Sequence, residues 1–160
     1  MKNKNQRTVE SDKLLSYKND RVVVRYAQDH SISLERADHI FTEMLKFLYL
    51  CMILPEPCSP PSRQIDDMWH VFILHTGDYF KFCSEFNGAY MHHEPTETPH
   101  IGNRQDMFRL ASEKFGDLDP ELWRHIVSGP NYCTEDCNNG GCTNRIFMND
   151  PLFSSPVQTI

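Results

Sequence analysis

Three kinds of segment are missing from this 160-residue chain, and each absence excludes a class of protein. No apolar run follows the basic, polar N-terminus "MKNKNQRTVESDK", so no secretory leader is read there and a cytoplasmic protein is expected, with residues 1–12 as a flexible tail. No stretch suits a bilayer crossing: the longest apolar run, Met44 to Leu54, is interrupted by Lys46 and stopped by Pro55. That is about half of the ~20 residues a span requires, so no membrane association is expected. Lysine and arginine, 16 together against 22 acidic residues, form no block and leave a formal charge of −6. Proteins that follow a phosphate backbone do so through clustered cations, so nucleic acid is not an expected partner. Enzyme signatures are missing as well, with no GxSxG elbow, phosphate-binding glycine loop or HExxH helix.

What is present reads as helix. A hydrophobic fraction of 39% supports one core in a chain of this length, and the chain is too short for two comfortable ones. "NDRVVVRYAQDH" is ambiguous, because Val22 to Val24 favour strand while Asp20, Ala27 and Gln28 suit a helix; helix is preferred. From Ser33, a capping residue, Leu34, Ala37, Ile40/Phe41, Met44/Leu45 and Leu48 recur at helical spacing and predict the central core helix. "PEPCSPPSRQ" is too rich in proline for a helix and reads as a stiff surface connector. A second helix follows from Ile65, with a break at "HTGD" where Thr76 is expected to cap a third that stops at Gly88. Short amphipathic helices are predicted before Gly116 and after Asp119-Pro120. The expected fold is all-α: a compact multi-helix domain over residues 13–130, with an irregular, cysteine-containing extension over 131–160.

The stretch from Ile65 to Pro95 places His70, His75, His92 and His93 among aromatic residues. Residues four apart share a helix face, so Asp66 and His70 can share a ligand, whereas His75 points elsewhere. After Gly88 the chain can turn back and present His92 and His93, and in extended chain one of the two is the inward group. A carboxylate with two or three imidazoles suits a divalent transition metal, zinc first and iron second. The same residues also fit a blander arrangement: Asp66 favoured by the helix dipole, His70 bonded to a backbone carbonyl, and the histidine pair in an exposed turn.

The blocks "IDDMWHVFIL", Tyr79 with Cys83, and "GAYMHHEP" resemble the glycine-rich domain-containing protein-like family and its small bacterial or phage-type relatives. That family's Asp-x-x-Trp-His core falls on Asp66, Trp69 and His70, and the likeness runs over residues 20 to 95. The resemblance implies a site rather than an activity. Plant members often carry another histidine where this chain has Phe72.

Cys133, Cys137 and Cys142 form a second group on a glycine-rich loop, which would hold zinc with His125 or another donor, or would equally be free thiols on an exposed tail. Cys51, Cys58 and Cys83 read as buried or connector thiols. Three classes of function remain open. The metal could be structural, in a module that binds a protein partner. It could be catalytic, in a hydrolytic or non-haem iron oxidative enzyme. Or the aromatic surface could bind a partner without metal.

Overall fold

The computed structural model describes residues 10–55, 58–95, 104–123 and 142–146. Within them lie α1 (Ser11–Leu15), α2 (Asp20–His30), α3 (Leu34–Ile53), α4 (Arg63–Leu74), α5 (Thr76–Phe82) and α6 (Arg104–Phe115). Two short strands, β1 (Met91–Pro95) and β2 (Cys142–Ile146), pair antiparallel with Met91 opposite Ile146 and Pro95 opposite Cys142.

Short polar side chains start the helices. Asn19 accepts a hydrogen bond from the Val22 N–H (3.2 Å), Ser33 from Arg36 (3.1 Å) and Ser62 from Ile65 (3.4 Å), each satisfying a first-turn donor that has no partner within its helix. The Asn19 cap helps decide the ambiguous valines for helix. Val22, Val23, Tyr26 and Ala27 then share one buried face of α2, and that burial outweighs the strand preference of valine. As the spacing predicts, α3 is central: Ala37, Ile40, Phe41, Met44, Leu45 and Leu48 are all buried, with Phe47 and Cys51 beside them. The buried stripe of α4 is Ile65, Met68, Trp69 and Phe72, a spacing of three and four that marks one helix face. The mainly helical architecture expected from periodicity is the one observed, and among the described residues no helix is long and apolar enough to cross a membrane.

Four local readings differ. The proline-rich connector is not a surface strap in its second half, because Cys58, Ser59, Pro61 and Ser62 are buried. Ser62 is held there by its capping role, and Cys58 behaves as a small apolar side chain. The break between α4 and α5 falls where expected, but His75 makes it rather than a Thr76 cap. His75 leaves helical geometry (φ −83, ψ 60) and its Nδ1 donates to the Val71 carbonyl at 2.8 Å. After Asp119 the described chain makes a single turn through Trp123, with the Glu121 N–H donating to Asp119 Oδ1 at 2.8 Å; the rest of the helix expected there lies outside the described residues. Finally, Met91–Pro95 and Cys142–Ile146 form a strand pair, where the sequence suggested unpaired extended chain after the Gly88 turn and an irregular extension. Strand pairing is a long-range choice, so neither segment carries enough alternation to announce it.

Candidate metal centre

Two elements build the site: α4 supplies Asp66 and His70, and β1 supplies His93. Between them, α5 runs into a π-helical turn, Cys83–Asn87, that ends at Gly88 in the left-handed region (φ 72). Only glycine adopts that conformation without strain, and it reverses the chain so that β1 returns over α4. The Tyr79 hydroxyl fixes the return. It donates to the Met91 carbonyl at 2.8 Å and accepts from the Trp69 indole N–H at 3.1 Å, tying the start of β1 to α4 through two buried aromatic side chains. Burial raises the Tyr79 pKa far above the tyrosine range, so the hydroxyl keeps the proton it donates.

Alternation along β1 then selects the histidine. Met91 is fully buried, and His93, two residues on, faces the same side, with its ring against Trp69 at 4.0 Å between centroids and its side chain only 5% exposed. His92 faces the other way and packs edge-on against Tyr90. His93 Nε2 lies 3.0 Å from His70 Nε2 and 3.2 Å from Asp66 Oδ1. The His70 ring is oriented by its own helix, because Nδ1 lies 2.8 Å from the Asp66 carbonyl, which can only accept. With the proton on Nδ1, the His70 Nε2 lone pair is left for His93, whose Nε2 lies 3.0 Å away.

One ligand atom from each of Asp66, His70 and His93 falls within a 4.8 Å cluster. Donors held about 2.0–2.1 Å from a zinc ion stand about 2.8–3.4 Å from one another in octahedral or tetrahedral geometry, which is the spacing of His93 Nε2 to His70 and to Asp66, whereas His70 comes nearest to Asp66 Oδ1 at 3.7 Å, through Nδ1. Asp66 Oδ1 is buried and makes no hydrogen bond despite its proximity to His93, so it is a desolvated acceptor that a cation would satisfy. The residues therefore fit a divalent ion. His70 leaves one side accessible, its side chain 46% exposed. His93 departs from the usual pattern of a ligating histidine: its Nδ1 is buried with no hydrogen-bond partner, so no bond on the side of the ring away from the cluster orients it.

The model of the UCP032817-like family matches residues 4–112. The chain belongs to that family. This corrects the resemblance to the glycine-rich domain-containing protein-like family, which rested on short blocks between Ile65 and Pro95 and was taken to run over residues 20 to 95, whereas the family model takes in residues 4–112. The family's description names no activity. No curated protein and no solved structure matched the chain.

Of the four residues read as metal ligands, the structure brings together Asp66, His70 and His93 and leaves His92 outside the cluster. His125, Cys133 and Cys137 lie outside the described residues, and of Cys142 only the backbone in β2 is described. Cys51, Cys58 and Cys83 are buried, as read from the sequence. Burial pushes the Cys83 thiol up to about 11, which leaves little thiolate for nucleophilic chemistry.

A second polar group escaped sequence reasoning because its members are distant in the chain. Asp119 accepts from Arg36 at 2.7 Å and lies 2.8 Å from His39 Nε2, while Trp123 Nε1 donates to the buried Glu43 at 2.7 Å. Lys46 also donates to Glu43, at 2.6 Å. Burial works against the Asp119 charge, yet hydrogen bonds from Arg36, the Glu121 N–H and His39 outweigh it and hold the carboxyl down to about 2. These groups fasten the Asp119–Trp123 turn to α3. No signal in the sequence pairs them.

Proposed function

We propose that the protein is a metal-binding helical module in which Asp66, His70 and His93 hold one divalent transition metal, zinc first and iron second, with a protein as its partner. The observation that carries this reading is the convergence of three donor atoms, one of them a buried carboxylate oxygen with no hydrogen bond, from two elements that the fold alone brings together. A metal there would cross-link β1 to α4 and stabilise the return of the chain, the role of a structural ion. Elemental analysis of protein purified without a histidine tag is expected to find near-stoichiometric zinc or iron, and His70→Ala and His93→Ala are each expected to lose it. Metal-free wild type whose stability ignores added zinc and chelator would reject the site.

The exposed side of His70 favours a second reading, a hydrolytic or oxidative metalloenzyme. Three protein ligands leave positions to water, and a bound ion would supply a hydroxide or bind an oxidant there. Exchange of a metal-bound water, measured by relaxation on the Mn²⁺ or Co²⁺ form, separates the two readings: a structural shell closed by a further protein donor gives none. A second zinc on Cys133, Cys137 and Cys142 with His125 belongs to the same proposal. It would appear as a second equivalent of metal, with those thiols slow to label until chelator is added.

A further inference from the structure

We propose that Tyr79 is a positioning residue of the metal centre, setting metal affinity through β1 and Trp69 without touching the ion; this deepens the reading above and rests on it. The two histidines are unevenly supported. His70 is oriented twice over, by its place on α4 and by the bond from Nδ1 to the Asp66 carbonyl. His93 has no such bond, since its Nδ1 is buried and unpaired. Its position therefore depends on two things: where the β1 backbone lies, and the indole face against which its ring packs at 4.0 Å.

Tyr79 controls both. Its hydroxyl is fully buried and uses its hydrogen to hold the Met91 carbonyl, two residues before His93. It uses a lone pair to hold the indole N–H of Trp69, the residue before His70 and the platform beneath His93. One oxygen thus spans the two elements that carry the ligands, and no other hydrogen bond described between α4 and β1 has this reach except the histidine contact itself. Removing it leaves a buried carbonyl and a buried indole N–H without their partner, and both relax most cheaply by letting β1 slide or the indole tilt. Either movement displaces the His93 nitrogen from His70 and Asp66. Groups that orient a ligand in this way typically change metal affinity by about 10- to 100-fold when removed.

The test is titration of Co²⁺ and Zn²⁺ into full-length wild type, Tyr79→Phe, Trp69→Phe and Met107→Ala. Met107 is buried in α6, which packs on α3, and serves as a control for general destabilisation. Tyr79→Phe is expected to keep its helical circular dichroism, bind Co²⁺ about 10- to 100-fold more weakly and alter the visible Co²⁺ spectrum, because the ligand geometry loosens. Met107→Ala should lose stability and keep wild-type affinity and spectrum. Trp69→Phe retains an aromatic face without the N–H, and should weaken binding even where Tyr79→Phe does not fold. The double variant should bind no more weakly than the weaker single one, since both act through one chain of bonds. Wild type that takes up no metal overturns the site itself. Wild type that binds, with Tyr79→Phe and Trp69→Phe matching it in affinity and spectrum, or with Met107→Ala losing as much, overturns the role of Tyr79 and leaves the site standing.

Discussion

His92 and His93 are neighbours with separate surroundings because an extended strand turns successive side chains to opposite faces. Sequence alone left both available to a metal; the buried Met91 settles which one turns inward. His92→Ala is accordingly expected to keep wild-type metal content, against complete loss in His93→Ala, with elemental analysis of both as the check. Asp66 offers a second contrast. Its buried Oδ1 has no hydrogen bond, so the metal-free protein carries an uncompensated acceptor at the site. Asp66→Asn should therefore change metal-free stability by no more than about 1 kcal/mol, the scale of a carboxylate at a helix N-terminus, while abolishing metal binding. A large loss of stability measured in chelator would mean that Asp66 is a structural residue rather than a ligand.

The elements divide by how local their causes are. Helix α3 starts at a capping residue visible in the sequence and, like α4, buries a stripe visible in its spacing, whereas α2 was ambiguous until the Asn19 cap and its buried face decided it. The Asp119–Trp123 turn is not, because its attachments to Arg36, His39 and Glu43 join residues far apart in the chain. Trp123→Phe, which removes one donor from buried Glu43, should cost about 1–3 kcal/mol in urea unfolding. Lys46→Met should cost more, about 3–5 kcal/mol, because it strips the countercharge from a carboxylate that is 2% exposed. The reverse order would show that the indole, not the ion pair, holds Glu43. Asp119 adds a pH dependence of definite sign. Its carboxyl is held from the ordinary 3.8 down to about 2, so its contribution is present above the ordinary value and disappears as pH falls from there through about 2. Asp119→Asn should flatten that part of the acid unfolding curve and leave the neutral-pH part parallel to wild type.

For the molecule as a whole, a metal that binds only the folded chain stabilises it by mass action, by about 2.7 kcal/mol when free metal is about 100 times Kd. The thermal midpoint should rise with zinc in wild type and in His92→Ala, fall with chelator, and stay indifferent to both in His70→Ala. A zinc-dependent rise surviving in His70→Ala would place the stabilising ion elsewhere, such as on the C-terminal cysteines.

The sequence by itself determined the helical class, the central helix from Leu34, the stop at Gly88 and the shared face of Asp66 and His70, because caps, periodicity and the left-handed tolerance of glycine act within a few residues. Only the tertiary structure decided that His93 and not His92 joins them, that Cys142–Ile146 pairs with β1, that Tyr79 links β1 to Trp69, and that Asp119 closes on α3. Each of those depends on which surfaces meet once the core has formed, and packing brings together side chains that no local pattern relates.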